Sequence, residues 1–319
     1  MKSVQSFVLI GCGSYARTYI MPNLPKQLVR KACIDPNPLV LHNFQRRFKF
    51  AEAYSFATFY SDTSPCVIVI ASYHSDHFRA VKHFIDLNPN NWIFIEKPPV
   101  ISLEEAQQLA LLREKANGRI YIGFNRPHSK LWNKVDDIVS LHSINFSIFS
   151  IKEVPLLSNH WYFYDAHPSR VVGNLVHWID LALLILGVEN CNVVGFNVHT
   201  INSKESLSFT LVNNGGRSVT ICASDYGDSL RGVYETIELR TETNTFIIDD
   251  FRYFRRSDSF YRSRFYLGRD KGHKKMYLEF FNDVLQGNLN GLKSYGNDRL
   301  ISLLRIVEEL KQNYDSNNN

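Results

Sequence analysis

Five short, almost uninterrupted apolar runs lie in the first 125 residues: "FVLI" (7–10), "KACI" (31–34), "CVIVIAS" (66–72), "WIFI" (92–95) and "RIYIGF" (119–124). Runs without polar alternation suit strands covered on both faces, and their exchange with amphipathic stretches is the pattern of a parallel sheet wrapped by helices. Between the last two runs, "SLEEAQQLALLREKANG" carries Ser102 with Glu105 three residues on, a capping box. Ala106, Leu109, Ala110 and Leu112 follow at helical spacing, and Asn117-Gly118 closes the helix. The expectation for residues 1–125 is an α/β Rossmann unit with a doubly wound parallel sheet.

Past residue 125 the texture changes to longer alternating segments with acidic, Asn and Gly turns. "SINFSIFS" (143–150) alternates, while "SLSFTLVNNGGRSVTICAS" and "VYETIELRTETNTFIID" each read as a hairpin. Two helices are expected to finish the chain, one within 272–286 and one from Asn297 or Asp298 to about 312, before a frayed "DSNNN" tail. Residues 126–319 are therefore expected to form an α+β unit with a mostly antiparallel open sheet. The boundary falls at a strand end and not in a linker, so the two units are expected to pack around a cleft.

A chain of 319 residues is long for one core and comfortable as two. Apolar residues at 45% and charged residues at 21% fit a globular protein. The N-terminal apolar run leads straight into glycines with no cleavage pattern, and "LALLILG" is too short to span a bilayer, so no leader and no membrane partner are expected. Five cysteines, odd in number and without a Cys-x-x-Cys pair, argue against a disulfide framework or a zinc site and for the cytoplasm. Net charge is only +5, but residues 251–275 hold nine Lys/Arg against two acids. This tract reads as a solvated edge strand and loop, or as a site for a phosphate-bearing small substrate. Interleaved aromatics also suit single-stranded nucleic acid, yet no nucleic-acid module accompanies them, so no nucleic-acid partner is expected.

"VLIGCGSYAR" places Gly11-x-Gly13-x-x-Ala16 directly after the first strand and at the opening of a helix. Gly11 makes the tight turn, Gly13 lets the backbone approach a pyrophosphate, and Ala16 permits close helix packing. Ser14 and Tyr15 follow at a helix start, where unpaired N–H groups face an anion. Asp35 closes the second strand in "ACIDPNP", 24 residues beyond Gly11, near the distance at which an acid accepts from a ribose. It is also a turn-forming Asp before Pro36. An acid there, with no Arg or Lys at 36–38, favours NAD over NADP as the cofactor.

"NWIFIEKPPV" (91–100) sets Lys97 just past a strand end, where ligands of open parallel sheets sit. Pro98 and Pro99 restrict the backbone there, giving a stiff mount of the kind a reacting group needs. A solvated strand end reads the same way on these ten residues alone.

With these motifs the chain resembles the glucose-fructose oxidoreductase, inositol dehydrogenase and MocA family of dinucleotide-dependent oxidoreductases. "GCGSYA", "ASYHSDHFRAVKHFI", "IEKPP", "GFNRP" and "GNLVHWIDLALLILG" stand in the family's order, and "KGHKKMYLEFFNDVLQG" is similar to its closing helix. "GFNR" with "RVVGNLVHWID" looks most like the members associated with surface-polysaccharide sugar pathways. The resemblance implies Lys97 and His177 as catalytic residues. For the cofactor it implies Gly11, Gly13, Ser14, Tyr15, Asp35, Ser72, His77, Glu96, Lys97 and Asn125; for substrate it implies Lys97, Asn125, Asn174 and His177. The arginines of the basic tract, Arg255 and Arg256 foremost, are expected to meet a substrate diphosphate. The resemblance also implies a homodimer or homotetramer.

There are departures. The family commonly has a carboxylate three or four residues before its histidine, where this chain has Asn174 and Gly173, and its Thr-Pro after the third long strand is Ser72-Tyr73 here. "GFNRPHSK" lacks a second arginine. His177 begins an apolar helix, where a hydrogen-bonded core histidine is equally at home, and Asp180 lies on the same helical face. His74, His128, His160 and His167 read as surface or loop residues, and His160-Trp161 stands where it could touch substrate. The expected reaction is hydride transfer between nicotinamide and a sugar hydroxyl, with His177 as base and Lys97 polarising the oxygen. A free polyol or non-sugar carbonyl or imine is the alternative substrate, and a non-catalytic dinucleotide sensor the alternative function.

Overall fold

The structure, a computed structural model, describes residues 5–141, 144–154, 171–188, 191–201, 204–226, 232–258, 262–266, 268–289 and 295–318. It divides into two compact units. The described residues of the first lie within Met1–Phe124 and His273–Leu300, and those of the second within Asn125–Tyr164, Pro168–Gly272 and Ile301–Asn319.

The first unit is built on six parallel strands, β1 (Ser6–Ile10), β2 (Val29–Ile34), β3 (Glu52–Tyr54), β4 (Cys66–Ile70), β5 (Trp92–Glu96) and β6 (Ile120–Gly123), in the order β3-β2-β1-β4-β5-β6. The five apolar runs are β1, β2, β4, β5 and β6, and every residue of β4 and β5 is buried, as expected for strands covered on both sides. The short edge strand β3, "EAY", has no apolar run and leaves no periodic signal. Strand order reverses between β2-β1 and β4, so the loops after β1 and β4 lie side by side at the switch point.

Helices α1 (Pro38–Phe48), α2 (His77–Leu87) and α3 (Leu103–Lys115) connect these strands. The ends of α3 are as written in the sequence. Ser102 Oγ accepts from Glu105 N at 3.2 Å, and Glu105 Oε2 accepts from Ile101 N at 3.0 Å. Asn117 and Gly118 then turn the chain with positive φ of 50° and 76°. The segment after β1 differs from the regular helix expected there. It runs through a π turn, Ala16–Ile20, into a 3-10 turn, Met21–Asn23, because Pro22 has no N–H with which to continue the ladder.

The core of this unit takes in α6 (His273–Gln286), far along the chain. Met276, Tyr277, Phe280, Phe281 and Val284 make one helical stripe, buried in the same cluster as Phe7, Leu9 and Phe94. Each such aromatic contributes about 1.5–3 kcal/mol of apolar burial, enough to hold the segment in this unit. Arg113 of α3 also binds Tyr295 O and Asn297 Oδ1, each at 2.6 Å.

The second unit has an eight-stranded sheet of β7 (Phe146–Lys152), β8 (Asn192–Ile201), β9 (Lys204–Val212), β10 (Ser218–Ser224), β11 (Tyr234–Arg240), β12 (Thr245–Asp249), β13 (Tyr253–Ser257) and β14 (Arg262–Tyr266). The order is β14-β13-β12-β11-β7-β10-β9-β8, antiparallel except where β10 lies parallel to β7. Both expected hairpins are present, as β9–β10 and β11–β12. Alternation is clean: Phe149, Ile151, Phe209, Leu211, Ile221, Ile237 and Leu239 are buried on one face while their neighbours stand on the other. Helices α4 (Lys130–Leu141) and α5 (Val176–Leu186) belong to this unit.

The last helix, α7 (Asn297–Asn318), runs past the expected end near 312 and takes up most of the expected frayed tail. Tyr314 anchors this extension by donating to Glu205 Oε2 at 2.6 Å. No described helix is long and apolar enough to cross a membrane. All five cysteines are free.

Candidate active site

The glycine loop leaves β1 at the switch point. Gly11 has φ +90°, and a Cβ there would stand 2.2 Å from Ala71 O, so only glycine fits between the ends of β1 and β4. Gly13 is the opposite case: a Cβ there meets nothing within 4 Å, so its backbone faces open space into which an anion can come close. Gly13 and Ser14 are exposed, while Ala16 is buried against the sheet. Asp35 ties the loop down. Its Oδ2 accepts from Cys12 N at 2.9 Å and its Oδ1 from Asn37 N at 2.9 Å, so the acid caps a turn and also braces the glycine loop. Each carboxylate oxygen keeps a second lone pair for a hydroxyl donor.

Beside the loop lies a cleft of about 240 Å³ lined by Gly11, Pro36, Phe56, Ser72, Asp76 and Arg79, among others. Ser72 Oγ is buried there without a hydrogen-bond partner among the described residues. A blocked first glycine, an open second glycine, a braced acid and an unsatisfied hydroxyl fit a dinucleotide's phosphate and ribose groups.

Lys97 follows β5, is half-buried, and is joined to Pro98 by a cis peptide bond. Its surroundings are rigid. His77, fully buried, places Nδ1 2.8 Å from Pro98 O and Nε2 3.2 Å from Ser72 O, tying the Lys97–Pro98 turn to the end of β4. His77 is therefore seen as a brace of this turn. Glu96 also faces inward. Its Oε1 accepts from Tyr15 Oη at 3.0 Å and from Tyr277 Oη, and its Oε2 from Lys97 N at 3.3 Å. Burial pushes the Glu96 carboxyl up to about 6, although both tyrosine hydroxyls and Lys97 pull it down. His74, expected at the surface or in a loop, lies in the connection after β4 but is buried. It sits 8% exposed on a 3-10 turn, where burial first, then Lys97 and His77, hold its imidazole down to about 2.

In the second unit His177 stands half-buried on the first turn of α5, directly after a π turn, Val171–Leu175, that contains Gly173 and Asn174. Such π turns locally re-aim side chains, often at functional sites. Asp180, one turn on, is fully buried. Asn174 Nδ2 donates to Glu153 Oε2 at 3.1 Å, and Glu153 is 3% exposed. Glu153 is a carboxylate the sequence reading missed, because it trails a strand 21 residues before Asn174 and belongs to no motif.

Asn125 donates to Lys271 O at 2.6 Å, and Gly272, φ +86°, packs so tightly that a Cβ would lie 2.1 Å from Asn125 O. Arg126 forks onto buried Glu235 at 2.6 and 2.9 Å; Trp178 Nε1 donates to the same carboxylate at 2.7 Å, and Lys271 Nζ completes its shell. Burial alone would raise Glu235, but Arg126 and Lys271 more than reverse it and hold the carboxyl down to about 2. One buried glutamate thus binds the Asn125–Arg126 turn to the residue after His177. His128 is half-buried in this turn, and His160, Trp161 and His167 lie outside the described residues.

The arginines of the basic tract do not gather at one point. Arg255 pairs directly across from Arg264, and Arg264 lies over the Tyr253 ring at 4.2 Å. Arg256 faces the other side of the sheet, over Phe246 and 3.3 Å from Asn244 Oδ1. Arg252 is paired with Asp250 at 3.3 Å. Strand alternation separates neighbours that a sequence displays as one cluster.

Residues 5–124 match the Gfo/Idh/MocA model, an oxidoreductase family with an NAD-binding Rossmann fold. No protein of curated function matches the chain in sequence. Among solved structures, a dehydrogenase from Chromobacterium violaceum is similar at TM-score 0.79 and 15% identity over 99% of both chains. KijD10, a 3-ketoreductase from Actinomadura kijaniata in complex with NADP and TDP-benzene, is similar at TM-score 0.79 and 15% identity over 97% of both chains. An oxidoreductase from Agrobacterium radiobacter in complex with NAD+, L-tartaric acid and magnesium is similar at TM-score 0.77 and 16% identity, over 98% of this chain and 97% of that one. At such identities the likeness is one of fold, and it runs the length of the chain. Residues 5–124 thus carry the signature of the Gfo/Idh/MocA oxidoreductase family's NAD-binding Rossmann fold, and the likeness of fold to the solved dehydrogenases extends over both units.

Proposed function

We propose that the protein is an NAD-dependent enzyme that moves hydride between nicotinamide and a ring hydroxyl or ketone of a sugar, the sugar being nucleotide-linked and destined for a surface polysaccharide. The observation that carries this reading is the glycine loop, closed at Gly11 by Ala71, open at Gly13, and braced by Asp35 on Cys12 N. Gly11, Gly13, Ser14, Asp35 and Ser72 would hold the dinucleotide, whose nicotinamide, when bound, gives or accepts the hydride. Asp35 supports NAD, because a carboxylate repels a 2′-phosphate. Arg79, the cation among the cleft's lining residues, is paired with Asp76 at 2.5 Å.

In the oxidative direction the substrate O–H proton passes to His177 as the carbon becomes a carbonyl, and Lys97 donates to the developing oxygen. A histidine accepts a proton near neutral pH without help, whereas a lysine acts readily as a donor. Glu153, through Asn174, supplies a carboxylate to a segment that has none of its own at 173 and 174. A homo-oligomer working in the cytoplasm accompanies the reading, supported by the five free thiols and the family resemblance. The TDP-benzene in the KijD10 complex supports a nucleotide-linked ligand, and the NADP of that complex and the NAD+ of the Agrobacterium complex support a nicotinamide dinucleotide.

A second substrate class, a free polyol or a non-sugar carbonyl, is favoured by the separation of Arg256, on the opposite face, from the Arg255–Arg264 pair and by the pairing of Arg252 with Asp250. The experiment is a fluorescence titration with NADH and NADPH, followed by a turnover screen of nucleotide sugars against free polyols. Replacing Arg255 and Arg264 together should weaken a nucleotide sugar strongly and leave a polyol unchanged. Lys97→Ala and His177→Ala should each lower kcat by roughly a hundredfold or more. Normal turnover in His177→Ala with none in Lys97→Ala exchanges the two roles. Bound NADH that reduces or forms with no member of the panel leaves a dinucleotide sensor.

A further inference from the structure

The Glu96 carboxylate gathers partners from three separate stretches of the first unit. Tyr15, two residues after Gly13, reaches Oε1 from the turn that follows the glycine loop, at 3.0 Å. Tyr277, 181 residues from Glu96 along the chain, reaches the same oxygen from α6. Lys97 N donates to Oε2 at 3.3 Å. The Tyr277 ring is fixed independently, 4.9 Å from Phe94 and 6.4 Å from Phe281, so its hydroxyl is presented by a packed aromatic core. Further out, His273 lies 6.2 Å from Tyr15 and stacks on Tyr19 at 4.4 Å, and Tyr121 of β6 stacks on Phe94 while feeling Glu279 and Asp283 of α6. Lys97 adds a full positive charge that acts on Glu96.

We propose that Tyr277 is a positioning residue for the dinucleotide: with Tyr15 it holds the ionised Glu96 carboxylate, locking the start of the segment after the glycine loop to the strand end that carries Lys97. The inference rests on the dinucleotide reading above. A backbone that offers N–H groups to a pyrophosphate works only if it is already in place, since any ordering on binding subtracts from affinity. The carboxylate form accepts from both hydroxyls, and protonation replaces one of its acceptor sites with a donor. Burial lifts Glu96 to about 6, so the lock loosens as the pH falls through that value.

The test is NADH binding to the full chain, read by fluorescence from about pH 8 to about pH 5, a range that brackets the Glu96 titration. In the wild type, affinity should fall as the pH drops through 6. Tyr277→Phe keeps the ring and removes the hydroxyl. It should weaken NADH by roughly tenfold at the upper end and move the midpoint to higher pH, because a donor to the charged form is gone. Glu96→Gln should abolish the dependence. A Tyr277→Phe protein with wild-type affinity and midpoint overturns the proposal, as does a Glu96→Gln protein that keeps the same pH profile. If Tyr277→Phe fails to fold by circular dichroism, Tyr15→Phe carries the same expectation from the opposite side of the same oxygen. Wild type that binds neither NADH nor NADPH at any pH sinks the dinucleotide reading itself, an outcome distinct from normal binding by every variant.

Discussion

Glu96 in the first unit and Glu235 in the second are both buried carboxylates with a full set of donors, yet their acidities move apart, to about 6 and to about 2. Burial raises both. Glu96 is answered mainly by two hydroxyls, which are neutral, whereas Glu235 is answered by a guanidinium and an ammonium. Hydrogen bonds from neutral groups soften the loss of water, and only opposite full charge reverses it. The first unit therefore holds a carboxylate poised to change state near physiological pH, and the second holds one that stays ionised.

The two glutamates should act on stability with opposite sign. Glu235, depressed from 4.5 to about 2, contributes stability that is complete above about pH 4.5 and is lost as the pH falls through 2. Glu96, raised from 4.5 to about 6, favours the folded state when protonated, so its ionisation reduces stability as the pH rises from about 4.5 through 6.

The largest expected effect is that of Glu235→Gln, which strands Arg126 and Lys271 in the interior and should cost about 3–5 kcal/mol, measured by urea unfolding at pH 7. Loss below about 1 kcal/mol would mean that water reaches this cluster and that the comparison fails. Next, the wild type should lose about 3 kcal/mol more than Glu235→Gln on acidification from pH 4.5 towards 2, from linkage alone. Parallel acid titrations of the two proteins would contradict this. Glu96→Gln should go the other way. At pH 8 it should be no less stable than wild type, gaining up to about 2 kcal/mol, and the difference should close below about pH 4.5. A clear loss of stability at pH 8 would show that the hydroxyl bonds outweigh burial. Smallest is Trp178→Phe, which removes one neutral donor from Glu235 while its two cationic partners stay, and should cost about 1 kcal/mol in the same urea series. A cost equal to that of Glu235→Gln would show that the indole, and not the charges, holds the carboxylate.

Legibility in the sequence followed locality. The capping box of α3, the hairpins β9–β10 and β11–β12, and the obligatory Gly11 were readable because the constraint lies within a few residues of its cause. Glu153, Tyr277 and Glu235 were not, since each reaches its partner across 21, 181 and 109 residues of chain. The arginine cluster was misleading for a related reason. A strand sends successive side chains to opposite faces, and a run that looks like one basic site becomes two.

By itself, then, the sequence determined the two kinds of sheet, the glycine turn after β1, the acid at the end of β2 and the lysine past β5, because strand periodicity and turn stereochemistry are properties of neighbouring residues. Only the tertiary structure decided that α6 completes the first core, that His77 lies between Pro98 and the end of β4 while Asp35 braces the glycine loop, and which buried glutamate meets hydroxyls and which meets cations. Those outcomes depend on what packing brings alongside a residue once water has been excluded, and that environment is set by the fold as a whole.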